Sequence, residues 1–208
     1  MANLQRFRHF IAQMTSLTGS AWQDDHRTLV EVGRDLLAEL VEHDDWLPES
    51  MAECPPHGYA QNLLWCDPLE HFSVVSFVWA PSARTPIHDH QVWGLVGMLR
   101  GSETSQRFKP DPQTGLLEKS DCKTLAPGYV EVLLPAEGDI HQVANALSDR
   151  SSISIHVYGG NIGAVRRQTF CAESGRPQLF VSGYTNRELP NLWDRSVEAR
   201  NIPSASFR

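Results

Sequence analysis

No apolar run in the 208-residue chain approaches the ~20 residues needed to span a bilayer, so a transmembrane helix is not expected. Positive charge is scarce. The 18 Lys and Arg against 25 Asp and Glu leave a net charge of −7, and a broad nucleic-acid face, which needs clustered cations on phosphates, is not expected either. Four cysteines, Cys54, Cys66, Cys122 and Cys171, are scattered without a Cys-x-x-Cys pair, which removes the common zinc and redox arrangements. The opening residues Met1-Ala2-Asn3-Leu4-Gln5-Arg6 lack the apolar core of a signal peptide, so a cytoplasmic protein with reduced thiols is the expectation. Internal repeats and low-complexity tracts are also missing.

What is present is ordinary in bulk. Hydrophobic content of 41% and charged content of 21% fit a soluble globular protein, and the length suits one domain with a real core. Leu4, Phe7, Phe10, Ile11 and Met14 recur at helical spacing over residues 3–16, and Leu29, Leu36, Leu37, Leu40 and Val41 do so over 24–43, with Asp24 and Asp25 at the favourable end of the helix dipole. After Pro55-Pro56 the pattern changes to short β-rich runs at 63–65, 72–79, 92–99, 129–134 and 152–158, separated by Gly and Pro turns. One domain over 1–208 is therefore expected. It consists of a helical layer over 1–55, a mainly β sandwich or barrel over 56–183, and a tail over 184–208 in which Leu189-Pro190-Asn191-Leu192-Trp193 docks and the last residues fray.

Within that frame Pro86-Ile87-His88-Asp89-His90 stands out. On a strand, His88 and His90 project to one face and Asp89 to the other, so the two imidazoles can share a metal ion. A third histidine, His141, follows the turn Glu137-Gly138-Asp139, which can deliver it from a neighbouring strand. The bland alternative is a pair of loop histidines and one packed in the core. No carboxylate follows the pair, since Gln91, Val92, Trp93, Gly94 and Leu95 fill that interval. Three neutral imidazoles would leave a divalent ion its full charge and favour an anionic ligand such as a thiolate. The set alone does not name the metal, because zinc, iron, nickel and copper all accept imidazole.

Ser152-Ile153-Ser154-Ile155-His156-Val157-Tyr158 alternates polar and apolar along its length. Ser154, His156 and Tyr158 share one face, which reads either as the solvated side of a half-buried strand or as a hydrogen-bonded relay beside a metal. His9, His26, His43, His57 and His71 read as surface or helix-packing residues, and Trp65, Phe72 and Trp79 as core. Cys122 sits in a charged, turn-like segment.

The His-x-His pair and the later Gly turn with His resemble the two cupin motifs, which implies a cupin double-stranded β-helix, a jelly-roll barrel, with N-terminal α-helices. With Ser154-x-His156-x-Tyr158 and Tyr59-Ala60-Gln61-Asn62 added, most of residues 58–170 resembles the thiol dioxygenase branch, the cysteine dioxygenase family. That resemblance implies Fe(II) held by His88, His90 and His141, a relay of Ser154, His156 and Tyr158, and oxidation of a small thiol by O2 to a sulfinic acid. Vertebrate members carry an Arg at the place of Gln61 and a tyrosine-linked cysteine at the place of Gly94. Gln61, Trp93-Gly94 and the run Asn161-Ile162-Gly163-Ala164-Val165-Arg166-Arg167 are similar instead to bacterial 3-mercaptopropionate dioxygenases. There an Arg after the Tyr strand receives the substrate carboxylate. Arg167, with Arg166 as the alternative and Gln61 assisting, is implied here, and Tyr158 should carry no cross-link.

The expected partners are thus a small thiol and O2, with no nucleic acid and no membrane. Turnover of L-cysteine by the same chemistry, a zinc or manganese cupin hydrolase or isomerase, and a cupin sensor that binds a small ligand without turnover are the alternatives.

Overall fold

Residues 3–19 and 25–192 are described by the computed structural model. The helical periodicity is realised in α1 (Leu4–Thr18) and α2 (His26–Val41), each within two residues of the expected ends. α1 buries Phe7, Phe10, Ile11 and Met14, and α2 buries Leu29, Val30, Leu37, Leu40 and Val41. Asp25 caps α2, its carboxylate accepting from the Thr28 N–H at 3.2 Å and the Thr28 hydroxyl at 2.7 Å. Asp24 lies outside the described residues. No helix among the described residues is long and apolar enough to cross a membrane.

Eleven strands follow: β1 (Tyr59–Cys66), β2 (Ser73–Trp79), β3 (Ile87–His88), β4 (Gly94–Arg100), β5 (Glu103–Pro110), β6 (Leu117–Leu125), β7 (Val130–Leu133), β8 (His141–Asn145), β9 (Ser152–Tyr158), β10 (Arg167–Phe170) and β11 (Pro177–Phe180). They form two antiparallel sheets, a five-stranded one in the order β1-β2-β9-β4-β7 and a six-stranded one in the order β11-β10-β3-β8-β5-β6. The sheets enclose a common interior, and the fold is the expected cupin double-stranded β-helix, mainly β with N-terminal helices.

All five expected β runs form. The β5–β6 hairpin was not expected, because β6 is almost wholly exposed and polar and so carries no hydrophobic alternation. Cys122, expected in a turn, lies exposed on β6, and all four cysteines are free.

The helices cover the outer face of the five-stranded sheet. α2 packs directly on β4, and Gly97 allows it, since a Cβ there would sit 2.9 Å from Leu37 Cγ. Outward residues of β9, Ile153, Ile155 and Val157, join one apolar cluster with Phe7, Leu29, Leu37 and Trp46. β9 is therefore buried on both faces, which corrects the half-buried alternative. Beyond Gly183 the chain does not leave the body at once. Thr185 and Asn186 bond to the edge of β1, and the buried Leu192 accepts from Arg8 Nη1 through its carbonyl at 3.1 Å. Trp193 and the chain end, expected to dock and fray, lie outside the described residues.

Candidate functional site

His88 ends β3 and pairs in register with His141, the first residue of β8. His90 lies beyond β3 rather than on it, because the chain leaves the ladder and Gln91 takes a positive φ of 62°. The strand argument thus places His88 correctly but not His90. Asp89 anchors the departing segment: its carboxylate accepts from Gln168 N–H at 2.8 Å, and its own N–H donates to the Gln168 carbonyl at 3.1 Å. His141 enters through the turn at Gly138, whose φ of 82° suits a residue without a Cβ. Arg107 Nη1 donates to the Gly138 carbonyl at 3.3 Å and braces that turn.

The three imidazoles converge. All three are buried, and their ligand nitrogens lie within 4.8 Å of one another. Each ring is held from behind by its own partner. His88 Nδ1 meets the Pro86 carbonyl at 3.0 Å, His90 Nδ1 meets Asp139 Oδ2 at 3.1 Å, and His141 Nδ1 meets Ser105 Oγ at 3.2 Å. A carbonyl and a carboxylate only accept, so Nδ1 of His88 and of His90 carries the proton and Nε2 keeps its lone pair. Burial pushes His88 down to about 4 and, with the neighbouring imidazoles, pushes His90 and His141 well below the ordinary histidine value. Three neutral imidazoles with converging lone pairs repel one another unless a cation lies between them. The donor set, all nitrogen with no carboxylate, fits a divalent transition metal.

Beside the trio lies the polar face of β9. Ser154 Oγ is 2.8 Å from His156 Nε2, and His156 Nδ1 is 2.7 Å from Tyr158 Oη. Trp79, read from sequence as core only, donates its indole N–H to Ser154 Oγ at 3.1 Å. Tyr158 stacks on His90 with ring centroids 5.6 Å apart, so the hydrogen-bonded row ends against the histidine cluster. Burial pushes His156 down to about 3 and raises Tyr158 far above the ordinary phenol value, so both stay neutral. Gly94 faces Tyr158 in register, and a Cβ there would lie 3.1 Å from the ring's Cδ1 and 3.2 Å from its Cε1. Gly94 therefore lies against the tyrosine edge and brings no thiol to it.

Arg167 opens β10 and is only 4% exposed. Its Nη2 donates to Ser182 Oγ at 2.8 Å, and its guanidinium lies 4.7 Å from the centre of the Phe180 ring. Its Nε is buried with no hydrogen-bond partner, and among the described residues no carboxylate forms an ion pair with it, although the Asp89 charge acts on it from a distance. Burial lowers its pKa from the ordinary guanidinium value. Arg166 is exposed and does not line the cavity. Gln61 does line it, but Nε2 donates to Ser182 Oγ at 3.2 Å and to the Gly183 carbonyl at 3.0 Å. The cavity measures about 430 Å³ and is shared by His88, His141, His156, Tyr158 and Arg167.

Several contributors left no local trace in the sequence. Asp139, Ser105 and Ser182 act across long separations. So does Glu103, a fully buried carboxyl that accepts from Ser152 Oγ at 3.0 Å behind the relay. The His/Ser/Tyr spacing alone finds the histidines and the Ser-His-Tyr face; no comparable spacing marks Asp139, Ser105, Ser182 or Glu103.

Among solved structures, an oxalate oxidase in complex with the substrate analogue glycolate is similar at 16% identity and a TM-score of 0.41. The match covers 61% of this chain and 56% of that chain, so a little over half of the oxidase is spanned. A double-stranded β-helix protein from Klebsiella pneumoniae matches at 14% identity over 57% of this chain and 93% of that chain, with a TM-score of 0.43. A cupin domain from Bordetella pertussis matches at 19% identity over 51% and 97%, with a TM-score of 0.37. The family model for cysteine dioxygenase type I matches residues 27–169. That span includes all three converging histidines, the relay and Arg167, and it covers well over half of the sequence. The chain thus belongs to the cysteine dioxygenase type I family.

Proposed function

We propose that this chain is a 3-mercaptopropionate dioxygenase that converts the thiol to 3-sulfinopropionate, with residues 1–208 acting as one domain. The observation that carries the substrate assignment is Arg167, a buried cation without a carboxylate ion pair in the cavity lined by His88, His141 and His156. No Asp or Glu lines that cavity among the described residues. The pocket therefore offers a fork for a carboxylate and no acidic group for the ammonium of cysteine.

His88, His90 and His141 would hold Fe(II) through Nε2. When bound, the iron supplies Lewis acidity that favours thiolate over thiol, together with the redox activity that O2 chemistry needs. Arg167 receives the carboxylate and so fixes the sulfur at a constant reach from the histidines. In the relay, Trp79 N–H occupies one lone pair of Ser154 Oγ. The Ser154 hydroxyl donates to His156 Nε2, His156 Nδ1–H donates to Tyr158 Oη, and the phenol proton is left for the substrate side. Since Tyr158 holds its proton tightly, it acts as a donor rather than a phenolate. Phe77, Trp79 and Val143 exclude water from the reacting end. Overall, RSH and O2 give RSO2H. Both oxygen atoms bond to sulfur, and the four electrons come from sulfur, so no external reductant is consumed.

The test is steady-state O2 uptake by iron-loaded protein on 3-mercaptopropionate and L-cysteine. A kcat/KM at least about tenfold higher for 3-mercaptopropionate is expected, because an ammonium in this pocket would go unpaired. Preference for L-cysteine would refute the substrate, and thiol consumption without O2 would refute the reaction.

A further inference from the structure

The segment after β11 crosses the rim of the cavity and is bonded to the edge of β1 rather than free. Thr185 N–H donates to the Gln61 carbonyl at 2.8 Å, and Gln61 N–H donates to Thr185 Oγ1 at 2.9 Å. Leu63 N–H donates to Asn186 Oδ1 at 2.7 Å, and Asn186 Nδ2 returns a bond to the Leu63 carbonyl at 2.9 Å. Tyr184 Oη accepts from Gly163 N–H at 2.9 Å and donates to Asn161 Oδ1 at 2.6 Å. Residues 182–186 are thus held from both sides, and Ser182 is set at the exposed lip of the cavity beside Arg167.

The bonding of Ser182 is one-sided. Its Oγ accepts from Gln61 Nε2 and from Arg167 Nη2. A guanidinium cannot accept. The Gln61 amide cannot be turned over either, because Nε2 also faces the Gly183 carbonyl, which only accepts. Both Ser182 lone pairs are therefore taken, and its hydroxyl proton finds no acceptor among the described residues. Arg167 Nε is likewise buried without a partner. The Ser182 proton is therefore open to a ligand or to solvent at the exposed lip, beside the one buried donor of the cavity that lacks an acceptor among the described residues, Arg167 Nε.

We infer that Ser182 is a further substrate-binding residue, donating its hydroxyl proton to the substrate carboxylate held by Arg167. This rests on the carboxylate reading of the cavity given above. Gln61, with both amide hydrogens committed to Ser182 and Gly183, acts on the substrate through Ser182 and is a positioning residue. The site takes a compact anion with acceptor oxygens at the end of a short thiol.

The test compares Ser182→Ala and Ser182→Thr with the wild type on 3-mercaptopropionate and on 3-mercaptopropan-1-ol, which lacks the carboxylate. For Ser182→Ala, the ratio of kcat/KM for the acid over the alcohol is expected to fall about fivefold, with the change in KM, as suits a hydrogen bond to an anion at a rim. The Ki of propionate against the acid should rise by the same factor, and Ser182→Thr, which keeps the hydroxyl, should restore both. An unchanged ratio and Ki in Ser182→Ala, or equal losses on the two thiols, would overturn the inference. If the wild type turns over the alcohol as well as the acid and propionate does not inhibit it, the carboxylate reading itself fails, and the role of Ser182 falls with it.

Discussion

The two faces of β9 are equally buried and filled by opposite chemistry. Outward, Ile153, Ile155 and Val157 meet the helices in a dry cluster that asks only for matching shape. Inward, Ser154, His156 and Tyr158 face the cavity, and each polar atom of the chain from Trp79 to Tyr158 has a partner at 2.7–3.1 Å. A polar face can lie inside a barrel only when it is closed in this way, since an orphaned buried donor or acceptor costs about 1–3 kcal/mol. On the function proposed above, one face serves stability and the other chemistry, and that division can be broken by experiment.

The largest effect is expected on the cavity side. His141→Ala should drop iron well below one per chain and lower O2 uptake by about a thousandfold or more, since it removes one of the three proposed ligands, while the melting temperature stays near that of the metal-free wild type. Metal analysis alongside oxygen-electrode rates checks this. Ile155→Ala on the outer face should do the reverse: a loss of about 2–4 kcal/mol in urea unfolding, with kcat per folded molecule within about threefold of wild type. A collapse of activity without loss of stability would erase the distinction. Tyr158→Phe should lower kcat by about 10- to 100-fold with a smaller change in KM, because it removes the donor at the end of the relay and little packing.

The smallest expected effect concerns Glu103. Burial pushes its carboxyl up to about 8, against an ordinary value of 4.5, although the Ser152 hydroxyl that donates to it pulls it back down. The folded chain thus keeps a proton there that the unfolded chain loses near pH 4.5. The stability this provides is complete below that pH and is lost as pH rises through about 8. Glu103→Gln, neutral throughout, should remove this slope. Between pH 5 and 8.5 the wild-type melting temperature should fall by about 10 °C relative to the variant, as scanning fluorimetry at a series of pH values would show.

Much of both regions was legible in the sequence, for different reasons. The outer face follows from apolar periodicity in α1, α2 and β9, and period is what local sequence records. The histidines and the Ser-His-Tyr face were legible because rare residue types recurred at strand spacing. His90 was placed for a partly wrong reason: it reaches the cluster after the chain has left β3 at Gln91, not by strand alternation. The β5–β6 hairpin escaped because its outer strand is solvated. Asp139 on His90 and Ser182 on Gln61 escaped because their bonds join residues 49 and 121 positions apart, and such pairs leave no periodic mark. The segment after Gly183 read as a tail because its attachment uses Thr185 and Asn186 side chains in place of a strand ladder.

The central claim, that this cavity places both atoms of one O2 on the sulfur of 3-mercaptopropionate, is tested most directly by turnover under ¹⁸O₂ with mass analysis of the product. The expected result is 3-sulfinopropionate carrying two labelled oxygens, formed in proportion to bound iron. A product with one label or none, or thiol loss without sulfinate, would contradict it.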